Sequence, residues 1–408
     1  LNFAATKTLD RRITFTRDSV GTYVDDMGII KYASNNTPRF DHDPVTGESL
    51  GLLIEESRTN QMINSSDITG DTAQNGTITG NVTTAPDGTT TADQYAANST
   101  NGIHRVDMPF TSGQISNSTA YTFSVFVKAN GYDKLHIRYA GYNADNHGRG
   151  YDLSDGSTFD GKFDGTSALG AVTSSSMIEY PNGWYRCSFT VTTAADAASG
   201  VAQLLYYISN SESTTNFAGD GSSGMYFWGA QMEAGSFPTS HIPTSGSTVT
   251  RAVDTAIIKG TNFTDFYNAS ESTIFFESGV APITNSKYFT FHGSDGGGTE
   301  LIEAAAVSGP GANIFTYANS TVYSNAQVTD SGATTLKYAA GIKANDINLA
   351  INGTLGTTDT SSTQPDALDK LIIGNYSSGN YYINTSIKKL SYYNKRLPNA
   401  QLQGLTQQ

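Results

Sequence analysis

Short runs in which aromatic or β-branched residues alternate with polar ones recur along this 408-residue chain, many closed by an Asp-Gly or Asn-Gly step. "YTFSVFVKA" (121–129), "KLHIRYAGY", "GWYRCSFTV", "AQLLYYIS" and "GMYFWGAQM" all show the pattern. A period of two places alternate side chains on opposite faces of a strand, one toward a core and one toward solvent. Asp155-Gly156, Asp160-Gly161 and Asn182-Gly183 supply the positive φ angles of tight turns. Strands spaced this way predict antiparallel sandwiches. The composition agrees, with 41 Gly, 23 Tyr and 19 Phe but only 15% charged residues. An all-β fold follows.

Local signals refine the order of elements. "ITFTRDSVGTYVDDMGIIKYA" (13–33) reads as strands around an Asp25-Asp26-Met27-Gly28 turn. A second group, "STIFFESGV", "KYFTFHGS", "LKYAAGI", "INLAINGTLG", "KLIIGNY" and "SIKKLSYYNKRL", starts beyond Phe263. Asn352-Gly353 marks a hairpin within it. Pro398 opens the one convincing helical turn, "LPNAQLQGLTQQ". Between the two groups, "SFPTSHIPTSGSTVTRAVDTAIIKG" (236–260) holds two prolines and reads as an extended connector.

The formal net charge of −13 argues against nucleic-acid partners and against an anionic membrane surface. No apolar run approaches the roughly 18 residues of a membrane span, so no membrane insertion is expected. The sole cysteine, Cys187, lies inside a strand-like run and reads as a small buried apolar residue. His and Cys are too sparse to favour zinc, so a structural calcium ion is the metal the composition suits, with no cofactor expected. "YDLSDGSTFDGKFDG" (151–165) lacks calcium-loop spacing and reads as successive turns, leaving the metal ligands unknown.

The stretch "PRFDHDPVTGESLGLLIEESRTN" (38–60) gathers Asp41, His42, Asp43, Glu55, Glu56 and Arg58 around an apolar run. Pro44 and Gly47 make "DHDPVTGES" a turn. Glu55 and Glu56 alternate to opposite faces of a strand, which suits neither paired-carboxylate catalysis nor a shared metal. The stretch therefore reads as a fold-holding strand and turn, with Arg58 as a clamp. Elsewhere there is no Gly-x-Ser-x-Gly, His-Glu-x-x-His or phosphate-loop motif. Glu300 and Glu303 of "ELIEAAA" lack the intervening aspartate of the Glu-x-Asp-x-x-Glu glycan-hydrolase signature.

The same block, with "NGWYRC" (182–187) and "WGAQMEAGSFPTSHIPTSGSTVTRAVD" (228–254), resembles a family of bacteriophage virion proteins, chiefly tail and fibre components. The resemblance covers roughly residues 1–255 and implies a jelly-roll module behind the N-terminal block. His241 stands where that family usually has tyrosine. "INLAINGTLG", "KLIIG" and "INTSIKKLSYYNKRLPNAQLQGL" resemble laminin-G or concanavalin-like sandwiches, a likeness that speaks to fold more than to function. The expected division is thus residues 1–63 as an N-terminal β segment and 64–235 as a jelly-roll, carbohydrate-binding-module-like sandwich. Residues 236–260 form the connector, and 261–408 form a laminin-G/concanavalin-like sandwich.

The resemblance implies a non-enzymatic virion protein exposed on the particle surface. It would be a tail-fibre or appendage component contacting host-surface polysaccharide and other virion proteins, and a homotrimer. A purely structural fibre, collar or capsid-decoration protein is the alternative, and a polysaccharide-degrading enzyme the second. Sugar rings stack on aromatic faces while polar groups bind their hydroxyls. Two stretches offer both: Tyr139, Tyr142, Asp145, His147, Arg149 and Tyr151 in the first sandwich, and Asn375, Tyr376, Tyr381 and Tyr382 in the second. Trp184 and Trp228 lie in strongly apolar strands and are expected in the core, as structural residues like Arg58.

Overall fold

The computed structural model describes residues 1–110, 114–279, 286–293, 300–306, 311–318, 321–329, 335–365, 367–376 and 381–407. Two antiparallel sandwiches account for nearly all of the order, as the alternation predicts.

In the first sandwich, one sheet runs Ser174–Tyr180, Trp184–Thr192, Ala120–Asn130, Gly224–Ala234, Ala92–Ala97 and Gly76–Thr83. The facing sheet runs Ser157–Phe159, Asn146–Asp152, Lys134–Ala140, Gln203–Ser209, Asn101–Pro109 and Asn216–Ala218. Phe123, Val125 and Val127 from one sheet meet Leu135, Ile137, Leu204, Tyr206 and Ile208 from the other. Cys187 is buried among them, and burial pushes its thiol well up, as suits a packing residue rather than a nucleophile.

The second sandwich is where the chain order departs from expectation. One of its sheets runs Thr14–Thr16, Thr255–Lys259, Lys370–Ile373, Lys287–His292, Leu301–Ala306, Gly311–Ala318 and Thr321–Thr329. The other runs Thr354–Leu355, Asn348–Ile351, Leu336–Lys343, Glu271–Ser278, Thr385–Tyr393, Ser49–Ile54 and Phe40–His42. Residues 1–63 are therefore not a segment of their own, since they supply strands to both sheets of the C-terminal sandwich. Phe3, Ile13, Phe15, Leu52 and Ile54 sit in its core beside Ile274, Phe276, Phe289 and Phe291.

The connector is likewise not purely a linker. Thr255–Lys259 is a strand of that sandwich, and Val249–Arg251 pairs with Arg58–Asn60. Asn64 bridges Ser245 just beyond this pair. The chain thus leaves the second sandwich at Arg58–Asn60, builds the whole first sandwich, and returns at Val249–Arg251. Topologically the first sandwich is an insertion whose two ends lie side by side, the arrangement under which inserted domains are tolerated.

Local expectations hold closely. The hairpin Gly21–Val24/Ile30–Ala33 turns through Asp25–Gly28, and Asn352 and Gly353 both take positive φ. The Asn399–Thr406 helix follows Pro398 and buries Leu402 against Phe275, Ala339 and Ala350. Trp184 and Trp228 are buried, but outside the space between the sheets. With Phe126 and Tyr180 they cover the outer face of the first sandwich, where Val24 and Ile30 of the N-terminal hairpin pack on them.

Candidate functional site

The charged block and the end of the first sandwich meet in a buried joint. Asp254 accepts from Arg17 at 3.2 Å, from Arg39, and from the backbone N–H of Glu55 at 2.9 Å. Glu55 pairs with Arg39 at 2.8 Å and Arg251 at 2.6 Å, and accepts from the N–H and hydroxyl of Ser240 at 2.8 and 2.7 Å. The three guanidiniums and both carboxylates are almost wholly excluded from solvent. Burial pushes the Glu55 carboxyl up, but Arg251 and Arg39, with Ser240, override it and hold it at about 2.

The remaining conspicuous polar residues serve the same joint. Gln231 accepts from the N–H of Ile242 at 2.7 Å and donates to Glu233, which accepts from the N–H and hydroxyl of Thr239. Asn60 donates to the carbonyls of Ala230 and Ile242 and accepts from the N–H groups of Met62 and Met232. These side chains stand in for a missing strand ladder and pin the proline-bearing connector to the sheet's outer face. Arg58 is the expected clamp. It pairs with Glu56 at 2.6 Å, donates to the Ala234 carbonyl and stacks over Phe237 at 4.7 Å. Gly235, at φ +142°, leaves it room, since a Cβ there would run into the Arg58 guanidinium.

Asp41, His42 and Asp43 do not converge on a metal. Asp41 accepts the Val24 N–H at 2.7 Å, His42 Nδ1 donates to the Val24 carbonyl at 2.9 Å, and Asp43 caps its own turn through Val45 and Thr46. Among the described residues, no group of three or more His, Cys, Asp or Glu is arranged to hold a metal ion.

Of the sugar-binding candidates in the first sandwich, Tyr139 and Tyr151 are corrected. Both are fully buried between the sheets, Tyr139 stacked on Phe123 and Tyr151 donating to the Ser188 carbonyl at 2.7 Å. Tyr139 continues the inward phase of Leu135 and Ile137, and Tyr151 lies opposite Leu135. Their polar neighbours point out but are bonded within the fold. Asp145 pairs with His147 at 2.8 Å and accepts the Ala194 N–H, while Arg149 pairs with Asp160 at 2.8 Å. Tyr142 is exposed, with its ring laid across Gly200.

The second group fares differently. Tyr382 and Asn375 are buried, but Tyr376 is half-buried and Tyr381 is 56% exposed. Tyr381 holds φ +60°, a conformation an aromatic residue rarely adopts. Its carbonyl accepts the Lys287 N–H at 2.9 Å, which seats the ring beside the sheet. Tyr376 and Tyr381 meet edge-on at 6.3 Å. Lys287 Nζ lies 5.6 Å from the Tyr381 ring and 5.9 Å from Phe315, and it pairs with buried Glu303 at 2.7 Å.

Register fixes what shares that face. Lys287 lies opposite Ala305 and Ala305 opposite Asn313, while Glu303 lies opposite Phe315. These side chains occupy the outer face, because the intervening Ile302, Ala304 and Ile314 point into the core. Asn313 is buried there, and its Oδ1 has no partner among the described residues. The result is an ion pair beside aromatic edges and faces, with an enclosed amide carbonyl next to it. Lys287, Asn313 and Phe315 carried no signal in the sequence, because only strand register brings them beside Tyr381.

No family model matches the chain, and no curated protein matches it. Among solved structures, the CBM40 of the Ruminococcus gnavus IT-sialidase, bound to alpha2,3 sialyllactose, is similar at 15% identity. It covers 36% of this chain and 87% of its own, with a TM-score of 0.31. Domains LG4-5 of the mouse laminin alpha1 chain align over 74% of this chain and 89% of theirs, at 12% identity and a TM-score of 0.27. Trypanosoma rangeli sialidase aligns over 77% of this chain and 60% of its own, at 10% identity and a TM-score of 0.29. Likenesses this distant carry no argument about what the chain binds, and the all-β sandwich assignment stands on its own strand pairing.

Proposed function

We propose that this chain is a non-enzymatic virion component of the tail-fibre or appendage type, and that it recognises host-surface glycans through the outer face of its second sandwich. The observation that carries the reading is the arrangement of Tyr376 and Tyr381 around the Lys287–Glu303 pair. A sugar's C–H face would stack on Tyr381, its hydroxyls donating to Glu303 and Asn313 and accepting from Lys287. Glu303 is tied to Lys287 as an ion pair, which suits a binding carboxylate better than a general acid kept protonated. An open patch of this kind binds weakly alone, so attachment would depend on several copies, as in a homotrimeric fibre. The virion assignment rests on the wording of residues 1–255.

The structural alternative draws support from the joint, which consumes Arg39, Glu55, Arg251 and Asp254 of that wording as internal bonds. Immunogold imaging of particles locates the protein, and a glycan array probed with the full chain tests recognition. Array binding that is lost in Tyr381→Ala supports the glycan reading. Particle labelling with no array binding would replace it with the structural one, and sugar release from host polysaccharide would overturn the non-enzymatic assignment.

A further inference from the structure

A second feature lies apart from the aromatic patch. Where the Phe40–His42 strand and connector residues 238–241 cross the outer face of the first sandwich, they enclose a cavity of about 270 Å³. That approaches the lower end of small-ligand pockets, about 300 Å³. Half-buried Pro44 and Leu50 and exposed Ile178 lie along its lining, so it reaches the surface.

Its walls hold polar groups that the fold does not satisfy. Arg186 is buried, donates through Nη2 to Ser124 at 3.0 Å and packs over Phe126, yet its Nε has no partner. Among the described residues no carboxylate lies within 4.0 Å of this guanidinium, unlike those of Arg17, Arg39 and Arg251 nearby. Among the described residues, buried His42 has its Nε2 unpartnered, and His241, tilted against Trp228 with ring centroids 4.6 Å apart, has neither ring nitrogen bonded. A buried unpaired cation is costly, whereas one that meets an anion in a desolvated pocket binds it strongly. Two imidazoles beside it add donors and acceptors for hydroxyls.

We propose that this cavity binds a small hydroxy-carboxylate of monosaccharide size, its carboxylate on Arg186 and its hydroxyls on His42 and His241. Burial, and then the Arg186 charge, hold the His241 imidazole down at about 3, so it meets the ligand as a neutral ring. Asp41 also lines the cavity, with its carboxyl pushed up to about 6, chiefly by burial. It faces Asp43 and His42 on its own stretch, Glu55 and Arg39 at the joint, Tyr180 and Arg186 from the sandwich, and His241 from the connector. Its repulsion of an anion weakens as it takes up a proton, so affinity rises from pH 7 to pH 5.

The test is a titration of the full chain with D-glucuronate, D-glucose and acetate, read by the NMR signals of the His42 and His241 imidazoles. Saturable shifts with glucuronate at about 10 mM or below, at least about tenfold weaker with glucose and acetate, are expected. Arg186→Gln should weaken glucuronate at least about tenfold, and His42→Gln provides a second variant should the first fail to fold. A glucuronate-ended oligosaccharide that binds as well as the free sugar places the ligand on a glycan end. One that fails to bind, while free glucuronate still binds, makes the ligand a free small carboxylate. No imidazole shift with glucuronate, or an equal response to glucose, overturns the proposal.

Discussion

The molecule contains two settings for charged side chains, and they differ in what they leave over. In the joint, Arg17, Arg39 and Arg251 are spent on Glu55, Asp254 and backbone carbonyls, wholly out of water. In the aromatic patch, Lys287 and Glu303 pair only with each other among the described ion pairs, beside an exposed tyrosine and an unpartnered amide oxygen. Both settings use the same chemistry. The joint holds the fold, and the Nε groups of Arg39 and Arg251, unpartnered among the described residues, are enclosed within it, whereas the patch keeps an aromatic face open to solvent. Charge density in a sequence therefore says little about function until the partners are counted.

The largest effect should come from cutting the joint out altogether. Residues 261–408 alone lack the Thr14–Thr16, Ser49–Ile54 and Thr255–Lys259 strands, and with them Phe15, Leu52, Ile54 and Ile258. Each such side chain contributes about 1.5–3 kcal/mol when buried. This fragment should show no cooperative melt by circular dichroism, while the full chain melts cooperatively. A fragment that folds by itself would break the claim that the N-terminal strands belong to the second sandwich.

Next comes Asp254→Ala, which strips Arg17 and Arg39 of a shared carboxylate while they stay buried. Orphaning a buried charge costs about 3–5 kcal/mol, so urea unfolding should show a loss of that size. The matching change in the patch, Glu303→Gln, keeps an amide oxygen to accept from a Lys287 that is 15% exposed, and should cost less, about 1–2 kcal/mol. Equal losses at the two sites would erase the distinction.

The joint should also shape the pH profile. Glu55 sits at about 2 against an ordinary 4.5, so its stabilisation is complete above pH 4.5 and is lost as pH falls toward 2. Asp41 and Asp71 act in the opposite sense. Burial chiefly raises them from 3.8 to about 6 and about 7, so their contribution is full below 3.8 and disappears as pH rises through those values. Buried His241 and His136, held at about 3 and about 4 against an ordinary 6.5, act in the opposite sense to the two aspartates and offset them between pH ~4.5 and ~6. Thermal melts should therefore be nearly level there and fall steeply below pH ~4, and Asp41→Asn should tilt that level stretch upward toward neutral pH. A rise continuing through pH 7 would contradict these assignments.

How much of this was legible in the sequence depended on distance along the chain. Hairpins such as the one at Asn352-Gly353 announce themselves in two residues, and strands 121–129 and 184–192 follow from alternation alone. The insertion could not be seen, because Ser49–Ile54 pairs with Thr385–Tyr393 and Thr14–Thr16 with Thr255–Lys259, contacts with no local trace. Tyr139 departs from expectation for a different reason: it adjoins the polar run 143–149, but it shares the phase of Leu135 and Ile137, which period-two counting assigns to the core. Tyr381 was found, but its surroundings were not, since they come from three other strands.

The smallest stability effects separate the two aromatic candidates. Tyr142→Ala and Tyr381→Ala remove exposed rings, and each should change stability by about 0.5 kcal/mol or less. Their effects on binding should differ. The most direct test of the account is therefore a side-by-side titration of host-cell surface polysaccharide with the full chain, Tyr142→Ala and Tyr381→Ala, at matched folded concentration. Tyr142→Ala should bind as the parent does, while Tyr381→Ala should lose about fivefold or more, the worth of one stacked ring at roughly 1 kcal/mol. A folded Tyr381→Ala protein that binds as tightly as the parent would contradict it.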